Sequence, residues 1–151
     1  MLVNTNTYQS LYEKIDPWML QVPGKTKDQI FQDMVIDIES KKSFPFEKDG
    51  VIFYIIPETK WLYRLHLFST AKAYKAGINA GKFLTNFIFD NTSVEKLYGI
   101  TPLTSLLKAS TKFGWVHEGT LKNSFMNEEH ILKDQYVFGV TRNENKIWRN
   151  K

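Results

Sequence analysis

The stretch "WLYRLHLFSTAKAYKAGINAGKFLTNFIFDNTSVEKLYGITP", residues 61–102, decides how the chain is read. It opens with alternating apolar residues to Phe68, a strand pattern, and continues into "AYKAGINAG", where two glycines and several small residues stand before a helix. The helical pattern runs over residues 77–91, with Phe83, Phe87 and Ile88 expected on one side. "KLYGITP" then reads as a buried strand ended by Pro102. The small residues at the strand-to-helix junction allow two readings. They can let the helix pack closely on a sheet, or they can form a cradle in which backbone N–H groups and the helix dipole bind a phosphate. Lys72, Lys75 and Lys82 supply cationic charge around that junction.

Upstream, residues 8–15 have a helical pattern stopped by Asp16-Pro17. In "TKDQIFQDMVIDIESKK", Ile30, Met34 and Ile38 recur at four-residue steps, with Phe31 and Val35 beside them, as in an amphipathic helix. "SFPFEKDGVIFYIIPETKWLYRLHLFS" reads as three antiparallel strands with turns at residues 48–50 and 57–60. Downstream, "LTSLLKASTKFG" is a helix stopped by Gly114, and "WVHEGTLKNSF" with "HILKDQYVFGVTR" forms a hairpin. The order of helices and strands indicates an α/β fold with a mixed, mostly antiparallel sheet and helices on both faces, in a single domain spanning residues 1–151.

Composition narrows the chemistry. The 151 residues include 42% hydrophobic residues, enough for a core, and a formal charge of +4 that suits a polyanionic ligand without naming one. The absence of cysteine excludes a disulfide scaffold, a thiolate metal site and a cysteine nucleophile. No apolar run is long enough to span a membrane and no basic-then-apolar leader stands at the start, so a cytoplasmic setting, or the interior of an assembled virion, is expected, with no membrane partner. His117 and Glu118 are adjacent and would point to opposite faces of a strand, and His130 reads as part of a solvated turn, so no metal site is expected. The tail "VTRNENKIWRNK" places four cations around Trp148 but is too short to define a nucleic-acid reader, and reads as a frayed terminus.

The run "AYKAGINAGKFLTNFIFDNTSVEKLYGITP" followed by "LLKASTKFGWVHEGTLKNSF" resembles the core of the GNAT superfamily of acyl-CoA N-acyltransferases, especially the branch that acetylates ribosomal-protein N-termini. The likeness covers roughly residues 61–140. It implies an acyl-CoA-dependent N-acyltransferase that moves an acyl group, acetyl above all, from acetyl-CoA to an amine of a protein or small molecule. By the same resemblance, Lys75, Ala76, Gly77, Ile78, Asn79, Ala80 and Gly81 would cradle the coenzyme pyrophosphate. Leu67, Phe68 and Ser69 would hold the pantetheine and thioester through their backbone, and Thr104 is a further coenzyme contact. The motif of the resembled family, Arg or Gln, two residues, Gly, one residue, then Gly or Ala, fits in neither of two frames: with Lys75 at its first position, Ile78 falls where the middle glycine belongs; with Gly77 as that glycine, Tyr74 comes first and Asn79 last.

For the proton acceptor, His66 is the titratable residue in the implied place, although the alternation "YRLHLF" equally puts Arg64, His66 and Phe68 on one ordinary sheet face. A catalytic His66 should face a concave pocket shared with residues 67–69 and Thr101, and should not lie under the second helix beside Ile30 or Met34. Where the family often carries a tyrosine acid this chain has Ser110, and the usual asparagine falls near Leu103 or Thr104. Those departures keep open a second reading, a catalytically degenerate GNAT-like interaction protein such as a phage virion or head-assembly component, with homo-oligomer or virion contacts. The hydroxyls of "PLTS" are expected to cap the following helix.

Overall fold

The computed structural model describes residues 5–16, 20, 23–68 and 74–151. In chain order they form α1 (Thr5–Lys14), α2 (Lys27–Glu39), β1 (Phe44–Lys48), β2 (Val51–Pro57), β3 (Leu62–Phe68), α3 (Tyr74–Asn91), β4 (Lys96–Thr101), α4 (Thr104–Thr111), β5 (Val116–Met126), β6 (Leu132–Thr141) and α5 (Arg142–Arg149). The six strands make one sheet in the order β1-β2-β3-β4-β6-β5. Only β3 and β4 run parallel; every other neighbouring pair is antiparallel. A parallel pair needs a crossover, and α3 is that connection.

Local sequence explains most elements. In α2, Thr26 and Gln29 form a reciprocal capping box, and Ile30, Met34 and Ile38 are the buried stripe. In β2, residues 51–55 are all buried, because the strand is covered on both faces. Its alternation divides the interior. Val51, Phe53 and Ile55 join Leu65, Ala80, Leu84, Ile88, Leu97, Phe113, Trp115, Phe138 and Val140 on the α3/α4 side. Ile52 and Tyr54 join Phe68, Leu11, Ile15, Ile30, Met34 and Ile38 on the α1/α2 side.

Three expectations need correction. Helix α3 begins at Tyr74 rather than Gly77, so the supposed turn is already helical, and neither Gly77 nor Gly81 takes a positive φ. Tertiary packing has overridden the weak helix propensity of glycine, about 1 kcal/mol per residue. Within α3, the buried side is Ala80, Leu84 and Ile88, whereas Phe83 and Phe87 face outward; Phe83 stacks with Phe87 and with Phe46 of β1 at centroid distances of 6.0 and 5.8 Å.

The C-terminal tail is not frayed. It forms α5, opened by a capping box between Thr141 and Glu144. Asp90 of α3 accepts hydrogen bonds from Arg149, and Asn145 is buried against Asn86. Gly114, at φ +90°, turns the chain under α5, where a β-carbon would come within 2.6 Å of the Trp148 ring. Arg142 donates to the carbonyls of Phe89, Thr92 and Val94, satisfying groups left open at the end of α3. The signal for α5 was in the sequence: "TRNE" is a Thr-x-x-Glu capping box.

Candidate active site

Strand β3 is laddered to β2 from Tyr63 to Phe68 but to β4 only at Leu62↔Lys96, Tyr63↔Leu97 and Arg64↔Tyr98. From Leu65 onward, its β4-facing edge has no strand partner among the described residues. The two strands fork at Gly99, where a β-carbon would lie 2.8 Å from the Phe138 ring and 3.2 Å from the Leu65 carbonyl oxygen. Glycine is the residue that fits there.

The fork opens a cavity of about 290 Å³. Its walls come from both sides of the sheet: Leu65, Phe113, Trp115 and Phe138 belong to the α3/α4 core, whereas Lys14, Asp16 and Leu20 come from α1 and the segment after it. Thr101 and Leu106 close the β4/α4 end. Backbone groups along β3 that have no strand partner among the described residues thus border a partly apolar space reached from two directions, a place where a linear acyl chain can add a strand-like partner and a nucleophile can approach from the other face.

His66 lines this cavity together with Leu67, Phe68 and Thr101. It also lines a second cavity of about 230 Å³ under α2, with Ile30, Met34, Asp33 and Asp37, so the ring stands at the junction of the two spaces that were expected to be alternatives. Burial, and secondarily the positive charge of Arg64, push the His66 pKa down from 6.5 to about 4. The imidazole is therefore neutral at physiological pH with a nitrogen lone pair free of a proton, although the same burial makes it a weaker base than an ordinary histidine.

The other anticipated site residues divide. Leu67 and Phe68 are at the cavity, and Ser69 lies outside the described residues. Lys75, Ala76, Gly77, Ile78, Asn79, Ala80 and Gly81 occupy the first two turns of α3, and none lines the fork cavity. Only the first turn has backbone N–H groups free of helical bonding, which limits a backbone anion site to its start. Gly77 has open space where a β-carbon would be, but at Gly81 that atom would sit 2.7 Å from the Phe113 ring. Gly81 and the fully buried Ala80 therefore serve packing against the core, a correction to their assignment to the cradle.

Ser110 also leaves the site. It is fully buried, and its hydroxyl donates to the Leu107 carbonyl at 2.7 Å within its own helix. Thr104 is exposed in a groove beside the fork, with Leu103, Asn123, Asp134 and Tyr136. Neither hydroxyl of "PLTS" caps α4; Leu103 is at the N-cap, and the Thr101 hydroxyl accepts from the Leu103 N–H at 3.0 Å.

Arg64 was not singled out beforehand, although the strand alternation had already put it on the His66 face. It lines the fork cavity, and its Nε is buried with no hydrogen-bond partner among the described residues. Among the described residues, no group of three or more His, Asp or Glu could hold a metal ion, and no helix is long and apolar enough to cross a membrane.

The fold is that of known acyltransferases. Spermidine N-acetyltransferase from Vibrio cholerae, solved in complex with CoA and spermine, superposes with a TM-score of 0.72 at 11% identity, covering 97% of this chain and 96% of that one. A GNAT-family acetyltransferase from Bacillus anthracis superposes with a TM-score of 0.63 at 14% identity, covering 93% of this chain and 92% of that one. This chain has the GNAT fold. No sequence-family model matches the chain, and no curated protein resembles it in sequence. At these identities the likeness is one of architecture: the GNAT layout is preserved here around a fork whose side chains must be judged on their own chemistry.

Proposed function

We propose that the protein is an acyl-CoA-dependent N-acyltransferase, using acetyl-CoA as co-substrate and an amine of a protein or small molecule as acceptor. The observation that carries this reading is the fork between β3 and β4, with its cavity walled from both sheet faces. The residues fit the coenzyme: β3 presents an unladdered edge from Leu65 to Phe68, and Gly77 leaves open space in the first turn of α3. The backbone of Leu67, Phe68 and Ser69 would hold the pantetheine and thioester, and the first-turn N–H groups with Lys75 would take the pyrophosphate.

Acetyl-CoA supplies a thioester carbonyl already activated toward an amine. The chain's part is then mostly positioning, which alone can supply about 7–11 kcal/mol of barrier reduction. Neutral His66 accepts the amine proton, directly or through one water, as the carbon–nitrogen bond forms and the carbon–sulfur bond breaks. The departing thiolate takes its proton from water, because Ser110 is buried in its helix. That missing side-chain acid also favours a second reading, coenzyme binding without turnover by a protein that acts as an interaction module.

Calorimetric titration with acetyl-CoA and with free CoA tests the main reading. Saturable binding of both is expected. No heat from either, with a folded protein by circular dichroism, overturns it. Binding without CoA release across a panel of amines favours the non-catalytic module.

A further inference from the structure

A guanidinium in a cavity needs an anion or several acceptors, because an unpaired buried polar group costs free energy that water or a partner must otherwise offset. Arg64 has neither an ion pair nor a hydrogen bond among the described residues, and its Nε is buried. Its strand neighbours do not supply one. Across β2 stands Ile56, and across β4 stands Tyr98, whose hydroxyl already donates to Glu58. Arg64 lines the fork cavity two residues from His66 and on the same side of β3, with Lys14 and Asp16 also in the wall.

We propose that Arg64 receives a carboxylate of the acceptor, so that the amine substrate is an α-amino acid or another small amine carrying a carboxylate close to its nitrogen. This rests on the N-acyltransferase reading and names the substrate class for it. A planar guanidinium pairs with a carboxylate through two parallel N–H···O bonds, which would fix the amine at the His66 side of the fork. The same charge repels an ammonium-rich acceptor. In this respect the chain would differ from the spermidine N-acetyltransferase that shares its fold.

The test separates this inference from the function on which it rests. With ¹⁵N-labelled protein, the Arg64 Nε–H resonance is followed during titration with N-acetylglycine, with N-acetylglycinamide and with spermidine, while acetyl-CoA binding is measured separately by calorimetry. The acid is expected to shift the resonance and to bind at least about tenfold more tightly than the amide, the difference one charge-assisted hydrogen bond supplies. Arg64→Gln should abolish that preference while acetyl-CoA affinity stays unchanged, and Arg64→Lys should restore part of it. An Arg64 signal unmoved by the acid, an equal response to acid and amide, or a preference for spermidine overturns the assignment, whatever the coenzyme result. Failure of acetyl-CoA to bind overturns the transferase reading alone.

Discussion

The two sides of the sheet are built from the same strands but to different standards. On the α3/α4 side, Leu65, Leu84, Leu97, Phe113 and Val140 pack into an apolar core, tight enough that Gly81 has no room for a β-carbon against Phe113. On the α1/α2 side, the buried cluster stops at Tyr54 and Phe68, and next along β3 stand His66, held neutral, and Arg64, whose buried Nε has no hydrogen-bond partner among the described residues. The two sides differ in kind at the fork: the α3/α4 core gives the cavity its apolar wall of Leu65, Phe113, Trp115 and Phe138, and the other side gives it Arg64 and His66.

The largest effect that would break this contrast is a failure of Phe113→Ala to destabilise. Removing a fully enclosed aromatic ring from a close-packed core should cost about 3–5 kcal/mol, read as a lower urea midpoint. A loss below about 1 kcal/mol would mean that the α3/α4 side is looser than its contacts imply.

A smaller effect, with a definite sign, belongs to His66. Its folded pKa of about 4 lies below the unfolded value of 6.5, so between those pH values the unfolded chain binds the extra proton. The stability due to the neutral ring is complete above pH 6.5 and is lost as the pH falls toward 4, by about 3 kcal/mol at most. Urea midpoints measured across that range should fall more steeply for the wild type than for His66→Leu. Parallel profiles would place the ring in water and remove the contrast.

The smallest and sharpest comparison is between two glycines one turn apart. Gly81→Ala forces a methyl into the Phe113 ring and should cost about 1–2 kcal/mol even after the gain in helix propensity. Gly77→Ala meets nothing and should stabilise the helix by up to about 1 kcal/mol, while weakening acetyl-CoA binding if the first turn of α3 holds the pyrophosphate. Calorimetry and thermal melts on the pair distinguish a packing glycine from a ligand glycine.

Much of the architecture was legible because its causes are local. The four-residue recurrence of Ile30, Met34 and Ile38 specifies α2, the apolar run of residues 51–55 specifies β2, and the Thr-x-x-Glu box of α5 was present though unread. Such patterns depend only on helix and strand periods and on capping chemistry. The site was not legible in the same way. Gly77 and Gly81 are the same residue type in the same motif, and only the arrival of Phe113 from the turn after α4 makes one a packing contact and leaves the other open. Ser110 kept the spacing of a proton donor, yet helix packing turned its hydroxyl inward to Leu107. The forking of β3 from β4 at Gly99 arises where strands far apart in the chain stop pairing. No local period encodes that event, because it is set by what packs against each strand from both sides of the sheet.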